Sequence, residues 1–518
     1  MRNKKMIPLG MALLLGVGVV SSCSGKPKIN FWTGFGTAVS GVIEPLISEY
    51  EKANPEYDIT YESKGGYDGL QKAISLSAST GNYPHLAVGY PDHMAGYIVS
   101  DILQPLDSFI EQEEAGFLDD FLPAYLKENQ ELTYRRKTDG SGGFDYDRPF
   151  TMGLPFNKST EVVVANQTMM DYFYAVDETI VMPKSWEELA EVGAKMVAHF
   201  RDNDLSGKIV KTDKSIYTPA EGETYTGDDI LLDFTGVKAG EFRPFSWDST
   251  ANMFITLVRQ WGAEYTTMGA DSRTGKYLFN NETNQPKVVK MMAFMKKIYD
   301  EGIIGIPATW GESSYSSNPF NANKIAMTVS SSAGVKFNVP AGNKFKISVN
   351  PLLYHVDAEG TAHKTVISQG TNLMMFQKGN DEVKQAAWNF IKFMTTKVND
   401  RFAIGAAYYP VTYTMASSTT YTEFLNQDTT DLVDSDVAVI EAANVNANVY
   451  TNDEENWYKF VDPAFVGSSE IRFEVGNTFG ILFAGEGSNL GENPTDTQRE
   501  VWAKRVLGLV TENLKKYA

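Results

Sequence analysis

An apolar strand followed by an amphipathic helix, repeated from Ile29 onward, restricts the folds open to this chain more than any other feature. Ile29-Asn30-Phe31-Trp32 is a short apolar run that turns out through Thr33-Gly34-Phe35-Gly36. Val42, Ile43, Leu46, Ile47 and Tyr50 then recur at helical spacing, and Asn54-Pro55 ends the run. Ile59 and Tyr61 alternate as a second strand, and a helix is expected over about Leu70 to Ser77. His85 to Gly89 reads as a third strand, leaving through Tyr90-Pro91-Asp92. Strands separated by helices pair mostly in parallel, so an α/β domain is expected. Ligands of such sheets lie at the carboxyl ends of the strands, which places Trp32, Phe35, Tyr90 and Asp92 near a site.

The same periodicities continue. Strands are expected at Val162 to Ala165, Lys324 to Val329 and Lys346 to Val349. Helices are expected at Gln167 to Val176, Ser185 to Phe200, Thr250 to Trp261, Lys287 to Glu301 and Thr497 to Lys516. Val383, Ala386, Ala387, Phe390, Ile391 and Met394 form a further helical stripe. Lys137 to Asp147 reads as a polar loop, Arg201 to Arg243 as a loop-rich excursion, and Tyr421 to Asn452 as weakly periodic and acidic.

The N-terminus reads as an address. Arg2, Lys4 and Lys5 precede an apolar stretch from Met6 to Val20, too short for a spanning helix, which ends in Val20-Ser21-Ser22-Cys23. Residues 1–22 are therefore expected to be a signal peptide and 23–28 a tether, with lipid on the Cys23 thiol. Cys23 is the only cysteine in 518 residues, which excludes an intramolecular disulfide and a Cys-based zinc site. The expected location is extracytoplasmic, at the cell membrane. A formal charge of −19 disfavours nucleic acid and anionic lipid surfaces as partners.

Catalytic motifs are scarce. The five histidines, His85, His93, His199, His355 and His363, include no H-x-x-x-H pair, and no P-loop, G-x-S-x-G elbow or G-x-G-x-x-G fingerprint occurs. No cofactor is implied, and no enzymatic activity is expected. One metal pattern stands out: Asp202, Asp204, Ser206, the Lys208 carbonyl and Asp213 occupy oxygen-donor positions of a twelve-residue Ca²⁺ loop, with Gly207 at the turn. An Asx-rich turn is the competing reading, because Asp213 is shorter than the usual bidentate Glu.

Several segments, in order, resemble the extracellular solute-binding proteins of bacterial ABC importers, the family that includes maltose- and glycerol-3-phosphate-binding proteins. They are Ile29 to Trp32, Pro84-His85-Leu86-Ala87 with Leu103-Gln104-Pro105-Leu106-Asp107, and Gly153-Leu154-Pro155-Phe156-Asn157-Lys158-Ser159-Thr160. Pro183-Lys184-Ser185-Trp186-Glu187-Glu188-Leu189 follows, then Lys324 to Thr328 with Ser330 to Ser332. Gly370-Thr371-Asn372, Ala386 to Met394 and Ala407-Tyr408-Tyr409-Pro410-Val411 complete the set. The resemblance implies a type II periplasmic-binding-protein fold, α/β, with two lobes that close by hinge motion. By that analogy the first lobe takes 29–152 and 353–404, and the second takes 156–350 and 410–518. The implied function is capture of a sugar, oligosaccharide or glycerol 3-phosphate for import, with ABC permease subunits as partners. A surface carbohydrate-active enzyme or a glycan-binding adhesin is the alternative.

The glycerol-3-phosphate type is the nearest pattern, and it implies Tyr67, Ser159, Ser331, Gly370, Tyr408 and Arg472 as ligand contacts. Hydroxyls suit phosphate or sugar oxygens, and a guanidinium suits phosphate in a bidentate pair. Trp186 is a candidate for stacking on a sugar face, with core packing as its competing role. Where those binders use a glutamate after the third strand, this chain has Tyr90-Pro91-Asp92, which makes Asp92 the substitute candidate.

Overall fold

The computed structural model describes residues 26–220, 229–342, 344–451 and 456–518. Cys23, the signal segment and most of the tether lie outside the described residues. Ten strands build two sheets. In chain order they are β1 (Lys28–Thr33), β2 (Asp58–Ser63), β3 (Leu86–Gly89), β4 (Leu154–Ser159), β5 (Glu161–Asn166), β6 (Arg243–Trp247), β7 (Ile304–Gly305), β8 (Ile325–Ser331), β9 (Ile347–Pro351) and β10 (Gln369–Met375).

The first sheet has the order β2-β1-β3-β10-β4, parallel across β2, β1 and β3 and antiparallel across β10. The second runs β7-β6-β8-β5-β9, parallel across β7, β6 and β8 and antiparallel beyond. Each sheet carries its own hydrophobic core. The helix Thr37–Ala53 buries Ile43, Leu46, Ile47 and Tyr50, the face its spacing predicts. Asp381–Thr396 starts where the Asn380 side chain accepts from the Val383 N–H, and it buries Trp388, Phe390, Ile391 and Met394. No described helix is long and apolar enough to cross a membrane.

The lobe boundaries differ from the expected ones at all three crossings. β4 belongs to the first lobe, where Leu154 and Phe156 enter its core, so the chain crosses at Thr160 rather than before Phe156. Leu352, Leu353, Val366 and Ile367 pack in the second core, so the return falls at Ser368 rather than near residue 353. Tyr409, Val411 and Tyr421 pack in the first core, which moves the third crossing to the segment between the helices Thr419–Asn426 and Asp434–Asn444.

Three segments are also more regular than the sequence suggests. Tyr134–Arg136 pairs with Phe144–Pro149 as a hairpin, so the loop expected at Lys137 to Asp147 is confined to residues 137–143. The Arg201 to Arg243 excursion holds a small sheet of Ile209–Lys211, Ile216–Tyr217 and Ile230–Asp233. The 421–452 region supplies the helix Asp434–Asn444, which runs on into a wider-pitched turn over Val445–Thr451.

Candidate functional site: the interlobe cleft

A cavity of about 670 Å³ lies between the lobes, within the range typical of small-molecule sites. The first lobe contributes Tyr67, Asp68, Tyr90, Asp92, His93, Glu128 and Gly370. The second contributes Thr250, Tyr265, Asp462, Ser468, Ser469, Arg472, Phe473 and Asn477. Tyr90 and Asp92 are where β3 ends and the helix Pro91–Val99 begins, the strand-end position that the α/β pattern predicts. Trp32 and Phe35 do not line the cavity: Lys64 Nζ sits 3.8 Å above the Trp32 ring, and Phe35 packs behind Tyr67.

Tyr67 opens the helix Tyr67–Ala78 directly after Gly65 and Gly66, whose φ angles of +73° and +92° suit glycine. Its hydroxyl accepts from Asn157 Nδ2 at 3.2 Å, and its ring meets Tyr90 edge-on at 4.9 Å. Tyr408 stands behind this pair, stacked on Phe402 at 5.9 Å. Burial, with Tyr408 and Tyr90 adding to it, pushes the Tyr67 phenol well up; burial does the same to Tyr90. Both phenols therefore stay protonated, and the Tyr67 hydroxyl is also hydrogen-bonded to Tyr408.

Gly370 has φ +110°, and a Cβ there would lie 1.8 Å from the Asn157 carbonyl oxygen. Its own carbonyl accepts from Lys158 Nζ at 3.3 Å. Lys158 is fully buried and ion-paired with Glu128, and Glu128 Oε1 also accepts from Asn372 Nδ2 at 2.6 Å. Burial lowers the Lys158 pKa, and the Glu128 charge opposes that. This pair forms the floor of the first-lobe wall.

Asp92 reaches across the cleft: its Oδ2 accepts from Ser469 Oγ at 2.7 Å. On the other wall, Arg472 donates from Nη2 to Asn252 Oδ1. No carboxylate lies at ion-pair distance from Arg472 among the described residues, whereas Asp462 is ion-paired with Arg259 and Glu128 with Lys158. Arg472 thus brings a positive charge to the cavity without a carboxylate to neutralise it. Phe473 is 73% exposed beside it, and Tyr315, 68% exposed, is close enough to Tyr90 to influence its phenol.

Of the candidates from sequence, Tyr67, Asp92, Gly370 and Arg472 share the cavity wall. Ser159 and Ser331 do not line it; they meet each other at 3.4 Å beside the Thr160 crossing, with Ser159 buried. Trp186 requires correction as a stacking residue. It is 0% exposed, lies parallel to Trp247 at 5.7 Å, and donates from Nε1 to Gln260 Oε1 at 2.7 Å, so neither face is open to a sugar. Gln369, Asp462, Ser469 and Phe473 also line the cavity and Asn252 holds Arg472, and the sequence pointed to none of the five.

The candidate Ca²⁺ loop has other partners. Asp202 bonds Arg201 at 2.9 Å, Asp204 bonds Lys208 Nζ at 3.0 Å, and Asp213 accepts from the Ser215 N–H and hydroxyl at 2.9 and 2.6 Å. Among the described residues, no three His, Cys, Asp or Glu side chains gather as a metal site. An unchanged melting temperature in Ca²⁺ and in chelator is the outcome the Asx-turn reading expects. A rise with Ca²⁺ that Asp204→Ala abolishes would restore the loop.

A model of the family described as bacterial extracellular solute-binding protein matches residues 45–424. The sn-glycerol-3-phosphate-binding periplasmic protein UgpB of Escherichia coli K12 is 24% identical over 393 residues, 75% of each chain. UgpB from Mycobacterium tuberculosis, solved with glycerophosphocholine, superposes with a TM-score of 0.61 at 15% identity, covering 94% of this chain and 98% of that one. The cyclic α-maltosyl-1,6-maltose binding protein of Arthrobacter globiformis gives 0.61 at 14% identity, covering 94% and 99%. These neighbours share the two-lobe type II fold. With a family match over most of its length and a cavity between its two lobes, the chain belongs to the bacterial extracellular solute-binding proteins.

Proposed function

We propose that the protein captures a carbohydrate-type solute bearing an anionic group, such as a polyol phosphate or its diester, and delivers it to an ABC importer. The carrying observation is Arg472, a guanidinium in the interlobe cavity without a carboxylate partner among the described residues. In a chain of formal charge −19 such a group is well placed to select an anion. The relatives and fold neighbours named above are described as binding glycerol phosphate compounds or a maltose-type sugar. A neutral sugar is the second reading, favoured by the exposed ring of Phe473 in the cavity wall. Binding fits the cavity better than catalysis does. Glu128 and Asp462 are each held by a cation and Asp92 by Ser469, so these three carboxylates are engaged in holding the walls. A thermal-shift panel of polyol phosphates, phosphodiesters, sugars and oligosaccharides tests the reading. Stabilisation by the anionic members supports it, and stabilisation by neutral sugars alone favours the second reading.

The anchor belongs to the same proposal. Lipid on Cys23 holds the lobes near a permease and raises their effective concentration there. One acyl chain binds only marginally, so stable anchoring needs more than one. Cys23→Ser is expected to move the protein from the membrane fraction to the soluble or secreted fraction. Retention in the membrane fraction would remove the lipid from the account.

A further inference from the structure

Glu161 is the first residue after the Thr160 crossing, and its side chain is buried. Oε1 accepts from Asn252 Nδ2 at 2.8 Å and from Trp247 Nε1 at 3.1 Å. Oε2 is buried without a hydrogen-bond partner among the described residues. The Asn252 amide also donates to Gln369 Oε1 at 3.3 Å, and this fixes its orientation: with Nδ2 turned to Glu161 and Gln369, Oδ1 faces Arg472. Gln369 follows the second crossing, and its Nε2 donates to the Thr160 carbonyl at 3.4 Å. Tyr450, beyond the third crossing, donates to the Glu161 carbonyl at 3.0 Å. One chain of bonds thus runs from the cleft guanidinium, through Asn252, to the hinge.

We propose that Glu161 is a positioning residue of the binding site: through Asn252 it aims Arg472 into the cleft, and it couples capture of a ligand anion to proton uptake at the hinge. The proposal rests on the anion reading above. A buried carboxylate with an unpartnered oxygen resists ionisation. Burial pushes Glu161 up to about 7, against the bonds from Asn252 and Trp247 and the positive field of Arg472; Asp248 nearby pushes in the same direction as burial. Asp248, Arg472 and the Tyr450 phenol are the charged or titratable groups facing it. An anion on Arg472 cancels that positive field and adds a negative charge, so Glu161 holds its proton more tightly. By reciprocity the anion then binds more tightly as pH falls through the Glu161 transition. A ligand-induced rise of one pKa unit gives at most about tenfold.

The test is calorimetric titration of the wild type and Glu161→Gln between pH 5.5 and 8.5. Glycerophosphocholine is the first probe and inorganic sulfate the second, because neither changes charge in that range. The wild type is expected to bind about tenfold more tightly at the acid end. Glu161→Gln is expected to lack that gain and to stay near the wild type's acid-end affinity. Any slope common to both proteins cancels in the comparison. Asn252→Leu, which cuts the link, is the second variant, and it should weaken the anion and flatten the profile. Parallel profiles for all three proteins overturn the proposal while leaving the anion reading intact. If the wild type binds neither probe, or if Arg472→Ala binds them as well as the wild type, the anion reading falls and this proposal falls with it. The unliganded protein gives an independent readout. The folded-state pKa of Glu161 lies above its unfolded value, so its stabilising contribution is full below about pH 4.5 and is lost as pH rises through about 7. Glu161→Gln should therefore gain more melting temperature over the wild type at pH 8.5 than at pH 5.5.

Discussion

Arg472→Ala is expected to weaken a phosphorylated polyol by roughly 30- to 150-fold and a neutral sugar by only a few-fold. A hydrogen bond to a charged group is worth about 1.5–3 kcal/mol, and one from a guanidinium to phosphate lies at the upper end. The cost falls mainly on the anion because Arg472 has no carboxylate at ion-pair distance among the described residues; its hydrogen-bond partner, Asn252, is neutral. Arg472→Lys keeps the charge but loses the planar fork, so it should recover only part of the affinity. Calorimetry on the three proteins with a matched phosphorylated and neutral pair checks this. Equal losses for both ligands would move the site's selectivity away from Arg472.

The largest stability effect is expected at Lys158. Lys158→Met leaves Glu128 charged and buried, with Asn372 as its remaining donor, and breaking a buried pair in this way costs about 3–5 kcal/mol. For a lobe of this size, that lowers the melting temperature by about 10 °C. It also frees the Gly370 carbonyl that Lys158 holds at the cavity wall, so ligand affinity should fall as well. The double variant Lys158→Met with Glu128→Leu removes both charges and should regain most of the lost stability, because the penalty lies in the unpaired charge. A double variant no more stable than the single one would show that the cost is in packing.

The periodic elements were legible in the sequence. β1, β2, β3 and their helices carry apolar spacings that belong to one period each, and they form within a few residues of expectation. The crossings were not legible, for a physical reason. β4 and β5 are each buried at all six positions and are separated only by Thr160, and the polar residues Asn157 to Glu161 at the join are as buried as the apolar ones, so residue type does not mark where one sheet ends and the next begins. Trp186 was misjudged although its helix carries the cue. Leu189, Gly193 and Met196 recur on the same stripe and turn it to the core. In the cleft, Arg472 and Gly370 came from the resemblance. Asn252 and Ser469 reach the site through pairings across 220 and 377 positions, which local pattern cannot reveal. Glu161 had one visible sign, a carboxylate at the head of an apolar strand.

The proposed function requires the interlobe cleft to select a carbohydrate-type solute by its anionic group. Titrating the wild-type protein with glycerol 3-phosphate and with glycerol, under identical conditions in a calorimeter, tests it most directly. The account predicts saturable binding of the phosphate ester with at least about 30-fold preference over the polyol, the size of one guanidinium–phosphate contact. Equal affinity for the two, or saturable binding of a neutral sugar with none for any phosphate ester or diester, would contradict it.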